Sequence, residues 1–122
     1  MTIPAEMRAA RLDVAAHRLT VETVPVRLPG AGEVLVQVKA CGICLSDVHI
    51  IDGSLPVRLP QLTLGHEAAG LVAALGPHVP GWAVGDKVVM AGGRSCGRCR
   101  NCMRGHPNER CLAYEIMGAH FD

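Results

Sequence analysis

At 122 residues the chain can bury one core but not two. With 49% apolar residues it is expected to be globular rather than disordered. The net charge of +1 gives no general reason to expect nucleic acid or an anionic membrane as a partner, and no apolar run approaches the length of a membrane span. The segment Met1 to Arg11 carries charges and no apolar h-region, so a secretory leader is not expected and the cytoplasm is. Aromatic residues are one Trp, one Tyr and one Phe, which leaves Val, Leu, Ile and Ala to build the core.

In chain order, Leu19 to Val24 is rich in Thr and Val and reads as a strand ended by Pro25. Pro29-Gly30-Ala31-Gly32 is a turn. From Glu33 to Lys39 the pattern alternates: Val34, Val36 and Val38 point one way, Glu33, Gln37 and Lys39 the other, with Leu35 the exception. That alternation predicts a half-buried strand. A short helix is expected after Cys44, its first turn capped by Ser46 or Asp47, with Val48, Ile50 and Ile51 as its apolar contacts. Ser54 to Pro60 holds two prolines and reads as loop. Ala68 to Leu75 is continuously apolar; its alanines suit a helix, but Gly65, Gly70 and Gly76 punctuate it at strand lengths, and the strand is preferred. Gly85-Asp86 turns tightly into a short buried strand over Val88-Val89-Met90. Gly92 to Arg110 shows no hydrophobic period, so something other than apolar burial must order it. Several short strands joined by Gly/Pro turns predict a barrel or sandwich.

In a reducing compartment the six cysteines are expected as thiols, thiolates or metal ligands rather than disulfides. They fall into two groups, Cys41 with Cys44, and Cys96, Cys99, Cys102 with Cys111. In the second group, two-residue spacers let successive thiolates converge on one tetrahedral ion, and a fourth from further along closes the shell. A closed shell leaves no open position, so this predicts structural zinc. The four thiolates would leave a net charge of −2 on the cluster, which Arg94, Arg98, Arg100, Arg104 and Arg110 could offset. The bland alternative, buried or oxidised cysteines, fits poorly in so polar a loop. A nucleic-acid patch is disfavoured because no aromatic residues interleave with the arginines.

Cys41-Gly-Ile-Cys44-Leu-Ser46-Asp47-Val-His49 directly follows the strand over Glu33 to Lys39, and Gly65-His66-Glu67 opens the next apolar segment. One thiolate and one imidazole make half of a catalytic zinc site, which holds three protein ligands and leaves one position open. Ser46 and His49 beside such a metal would give a proton a route between site and water. Singly, each residue has a plain reading: a buried Cys is core filler, and His66 beside Glu67 is a surface pair. A dithiol redox pair, Cys41 with Cys44 between a strand and a helix, is a sharper rival that leaves His66, Ser46 and the second cluster unexplained.

Together these motifs resemble the N-terminal, GroES-like catalytic domain of zinc-dependent medium-chain alcohol dehydrogenases. The likeness is carried in family order by Gly42-Ile43-Cys44-x-Ser46-Asp47-x-His49, Gly65-His66-Glu67-x-x-Gly70-x-Val72, Gly85-Asp86-x-Val88 and the cysteine loop. It implies a mainly β, partly open GroES-like barrel with short helices over 1–122, including a structural zinc loop over 92–111 held by Cys96, Cys99, Cys102 and Cys111. It further implies a catalytic zinc on Cys44 and His66 with Glu67 able to approach the metal, Asp47 orienting His66, and Ser46 and His49 as the proton relay. The activity implied is interconversion of small alcohols and carbonyl compounds with NAD or NADP, in a full-length enzyme that is a homo-oligomer. Eight residues, Met103 to Arg110, precede Cys111 where the family has seven, and Leu45 stands where some members carry a basic residue against the cofactor pyrophosphate. No G-x-G-x-x-G occurs, so the nicotinamide-binding domain and the third catalytic ligand are expected beyond Asp122, and the chain alone is expected to be inactive. The competing functional class is a stand-alone zinc-binding module.

Overall fold

The computed structural model describes residues 2–106 and 108–122. The elements are β1 (Glu6–Asp13), β2 (Arg18–Pro25), β3 (Val34–Gly42), α1 (Leu45–Asp52), β4 (Gln61–Thr63), β5 (Glu67–Leu75), β6 (Lys87–Val89), β7 (Gly93–Arg94), α2 (Arg100–Met103), a 3-10 turn over Asn108–Arg110, and β8 (Glu115–Ile116). They form two three-stranded sheets, ordered β2-β1-β4 and β3-β5-β6, and a two-stranded pair of β7 with β8. The named pairings are antiparallel. Among the described residues no helix is long and apolar enough to cross a membrane.

Sequence reasoning anticipates β2, β3, β5 and β6 in place, each within a few residues, but β6 is not the buried strand expected, since Val89 is 83% exposed. Ala68 to Leu75 is strand, as preferred. Gly70 shows why a small residue interrupts it: a Cβ there would stand 2.2 Å from the Gln37 carbonyl oxygen on the neighbouring strand. The expected burial of β3 needs correction. Val38 is 52% exposed and Val34 37% exposed, so the face that carries the alternating valines is left open by the described residues, and register shifts at Leu35/Val36 and Val38/Ala40 interrupt its pairing with β5. β1 was not anticipated. It joins β2 in an unbroken ladder from Glu6↔Pro25 to Asp13↔Arg18 and passes Leu12 to Leu62 of β4 on its other side.

The main core is small and sits under α1. Leu12, Ile50 and Ala119 are buried together, and Val14, Ile51, Val57, Leu64 and Ile116 pack against them. One buried helix side chain, Ile50, thus ties α1 to β1 and to the end of the chain. On the usual scale of apolar burial it contributes roughly 1.5–3 kcal/mol, which fixes the helix that carries the motif residues 44–49.

The cap of α1 differs from expectation. Cys44, in extended conformation, is the N-cap residue, and Ser46 and Asp47 lie inside the first turn. Asp47 still serves that turn: its Oδ2 accepts the Cys44 backbone N–H at 2.9 Å. The helix ends at Gly53, whose φ of 81° lies in the left-handed region open to glycine.

Candidate functional site

The end of β3, the start of α1 and the start of β5 meet at one corner. β3 pairs with β5 through Cys41↔Ala68 and Gly42↔Glu67, so the sheet register itself carries the Gly65-His66-Glu67 segment beside the Cys41–Cys44 turn. Candidate ligand atoms of Cys44, His66 and Glu67 lie within 4.8 Å of one another. Gly42 makes room for the carboxylate: a Cβ there would meet Glu67 Oε2 at 2.2 Å. Cys41 is outside this group; it is exposed, and its Sγ lies against Gly65, where an added Cβ would be 2.9 Å away.

The polar contacts around His66 are asymmetric. Its Nε2 meets Ser46 Oγ at 3.2 Å, while its Nδ1 faces Asp47 Oδ1 at 3.6 Å. Asp47 is buried, and Oδ1 has no hydrogen-bond partner. A buried carboxylate oxygen without a donor is costly, and the nearest group that could donate to it is His66 Nδ1, 3.6 Å away and beyond hydrogen-bond length. With the proton on Nδ1, the Nε2 lone pair accepts from the Ser46 hydroxyl. A metal on Cys44 and Glu67 would need that same lone pair, so the donor set and its orienting carboxylate fit a zinc of the open, catalytic kind.

His49 is not drawn into this cluster. Its ring is about half exposed, and Nδ1 meets Ser54 Oγ at 3.0 Å instead. Beside the cluster lies a cleft of about 190 Å³, lined by Ser46, His66, Ile50, Leu55, Tyr114 and Ile116 among others. Its walls are mostly apolar, with Ser46 and His66 at one side. The last two lining residues escape sequence reasoning. They reach the cleft only because β7 pairs with β8, Gly93 opposite Ile116, a contact without local signal.

That pairing also closes the base of the cysteine loop. Cys96, Cys99, Cys102 and Cys111 bring their sulfurs within 4.8 Å of one another, and none is in a disulfide. Backbone amides point at the sulfurs: Cys96 N–H to Cys111 Sγ at 3.2 Å, and Cys99 N–H to Cys96 Sγ and Ala113 N–H to Cys111 Sγ at 3.4 Å each. Such donors favour thiolates. Cys99 is held down to about 6 by the Cys102 and Leu112 amides. Cys102, whose Sγ is 3.4 Å from that of Cys99, is pushed up to about 11 by sharing its proton with it. Cys96 is lowered as well, by the amides of Arg98 and Cys99. Thiols crowded around shared protons in this way fit a divalent ion in place of those protons. Of the arginines expected to offset the cluster charge, Arg94 is engaged elsewhere, with Glu115 at 2.7 Å and over the Phe121 ring at 4.2 Å.

Strand frame, thiol cluster and thiol–imidazole–carboxylate corner together define a metal-binding β domain. The chain belongs to the family of alcohol dehydrogenase GroES-like domains, whose model matches residues 30–120. It is 42% identical over 105 residues to an L-threonine 3-dehydrogenase of Stenotrophomonas maltophilia, covering 84% of this chain and 31% of that protein. Among solved structures it is similar to an acetophenone reductase from Geotrichum candidum in complex with NAD, with TM-score 0.86 and 34% identity over 98% of this chain and 36% of that one. It is similar also to a cobalt- and zinc-bound thermostable alcohol dehydrogenase from Pyrobaculum aerophilum, with TM-score 0.84 and 33% identity over 96% of this chain and 36% of that one. The chain spans about a third of the length of the curated relatives it matches.

Proposed function

We propose that this chain is the substrate-handling domain of a zinc-dependent dehydrogenase that interconverts small alcohols and carbonyl compounds with a nicotinamide cofactor. The observation that carries the reading is the convergence of Cys44, His66 and Glu67 beside Ser46 and an apolar cleft. Zinc on those ligands would supply Lewis-acid polarisation of the substrate oxygen. The chain's own groups divide the remaining work. Asp47 holds His66 with Nδ1 protonated and Nε2 directed at the site. Ser46, whose hydroxyl would be free of Nε2 with a zinc held on His66, is placed to take a proton from a substrate hydroxyl as it passes its own outward, and His49 is the acceptor nearer to solvent. Ile50, Leu55 and Ile116 exclude water around the substrate carbon and favour an apolar substituent there. Cys96, Cys99, Cys102 and Cys111 hold a second, structural zinc that orders the loop between β7 and β8.

Among the described residues no glycine-rich turn is available to cradle a dinucleotide's phosphates, and hydride transfer needs the nicotinamide ring fixed against the substrate carbon. The reading therefore places the cofactor-binding part in a further segment of polypeptide, as the coverage of the relatives suggests. The test compares two polypeptides under zinc, NAD⁺ or NADP⁺ and a panel of alcohols. The 122-residue chain should reduce no cofactor, and the reading frame continued past Asp122 should do so in a chelator-sensitive way. Robust turnover by the short chain, or none by a folded, zinc-loaded longer one, would overturn the reading.

A further inference from the structure

Ser54 sits where its one hydroxyl proton meets two acceptors and a ring nitrogen whose role depends on the tautomer. Its Oγ contacts Asp52 Oδ1 closely, His49 Nδ1 at 3.0 Å and the His49 carbonyl oxygen at 3.4 Å. The backbone builds this arrangement. Gly53 takes the left-handed conformation that ends α1 and sends the chain back along its last turn, and Leu55 N–H then bonds the His49 carbonyl at 2.8 Å. Gly53 has a second reason to lack a side chain, since a Cβ would stand 2.6 Å from the His17 ring. His17, the titratable group brought to this turn from the β1–β2 connection, is occupied with the Ile51 carbonyl at 2.8 Å. It does not compete for Ser54.

The hydroxyl proton can be assigned. Asp52 Oδ1 also accepts the Ser54 backbone N–H at 2.8 Å. The Asp52 carboxyl is lowered from its ordinary range, first by the Ser54 hydroxyl and then by the Ser54 amide, so at neutral pH it only accepts. The Ser54 O–H therefore points to Asp52. Its oxygen is left to accept, and the donor facing it is His49 Nδ1–H. A ring nitrogen that faces an acceptor carries the proton, which leaves the other nitrogen bare.

We propose that Asp52 and Ser54 are positioning residues that hold neutral His49 as the Nδ1–H tautomer, presenting its bare Nε2 as a proton acceptor. The chain Asp52 to Ser54 to His49 serves the proton path of the dehydrogenase reading and rests on that reading for its purpose, though not for its chemistry. When His49 takes a proton on Nε2, the existing Nδ1–H bond to Ser54 stays in place, and Asp52 Oδ2, 3.7 Å from Nδ1, faces the new charge. No bond has to be rearranged at the moment of transfer.

The test reads the two ring nitrogens of His49 by long-range proton–nitrogen correlation on the zinc-loaded 122-residue chain, at a pH where the ring is neutral. Wild type should show Nδ1 protonated and Nε2 bare. Ser54→Ala should lose that preference, the two nitrogen shifts moving toward each other or exchanging, and Ser54→Thr should restore it. Asp52→Asn, a second route that leaves the hydroxyl, should weaken the preference. An Nε2–H tautomer in wild type, or an unchanged tautomer in Ser54→Ala, would overturn the proposal. In the longer, dehydrogenase-active polypeptide, Ser54→Ala should lower kcat about tenfold or more with little change in KM; an unaltered kcat and pH profile would overturn the positioning role. Absence of activity in the unmutated longer form would instead strike the functional reading, and the nitrogen shifts would still decide the tautomer.

Discussion

Asp47 Oδ1 and His66 Nδ1 face each other at 3.6 Å inside a buried corner, and neither has a better partner. On the proposed reading, a proton on Nδ1 facing that carboxylate would leave Nε2 as the nitrogen free to ligate. It also ties down the Cys44 backbone through Oδ2 at 2.9 Å, so one side chain orients two of the three candidate ligands.

Asp47→Ala should therefore weaken metal binding at the Cys44–His66–Glu67 corner by about 10–100-fold, the usual effect of removing an orienting partner. Competition with a metal indicator measures it. The cysteine loop should keep its own metal unchanged, which separates a local effect from general unfolding.

If Cys96, Cys99, Cys102 and Cys111 hold a metal as proposed, the loop should depend on it for order, because none of the described residues between 92 and 110 belongs to the buried core. Cys99→Ser should raise amide exchange across the loop while β1, β2, β3 and β5 keep their protection. Chelator treatment of the unmutated chain should do the same. Equal loop protection in all three samples would count against a structural metal.

Much of this site was legible in the sequence, for a physical reason. Metal chemistry restricts both residue type and spacing, so Cys96, Cys99, Cys102 and Cys111, or Cys44 with His66, stand out without any structure. The same is not true of Tyr114, Ile116 and Ala119. They are ordinary residues brought to α1 by a two-residue strand pair, and no local pattern marks them. β1 was missed because its polar/apolar alternation slips phase at Ala9-Ala10, and the ladders to β2 and β4 are what make it a strand. The valines of β3 misled in the opposite direction: they alternate correctly, but no described element covers the face on which Val34 and Val38 stand open. Asp52 and Ser54 escaped because Asp-x-Ser after a helix reads as turn chemistry, which it also is.

Asp122 ties the end of the chain to the first sheet. It pairs with Arg11 and accepts the Thr63 N–H at 2.7 Å. Burial pushes its carboxyl up, but the Arg11 and Thr63 hydrogen bonds outweigh this and hold it below its ordinary 3.8. A folded-state value below the unfolded one means the contribution is present at neutral pH and fades as pH falls through the acid carboxylate range. Arg11→Ala should cost about 1 kcal/mol or less at pH 7, since the pair is partly exposed, and the cost should shrink toward pH 3. Urea unfolding across that range checks both size and sign.

Cobalt titration of the 122-residue chain and three variants decides whether the corner of β3, α1 and β5 is a metal site built on Cys44. The first equivalent should fill the cysteine loop, and a second, weaker one should add its own thiolate charge-transfer band. Cys44→Ala and His66→Ala should abolish that second band, and Cys41→Ala should keep it. A second band that survives Cys44→Ala but disappears in Cys41→Ala would contradict the assignment, and with it the dehydrogenase reading of this domain.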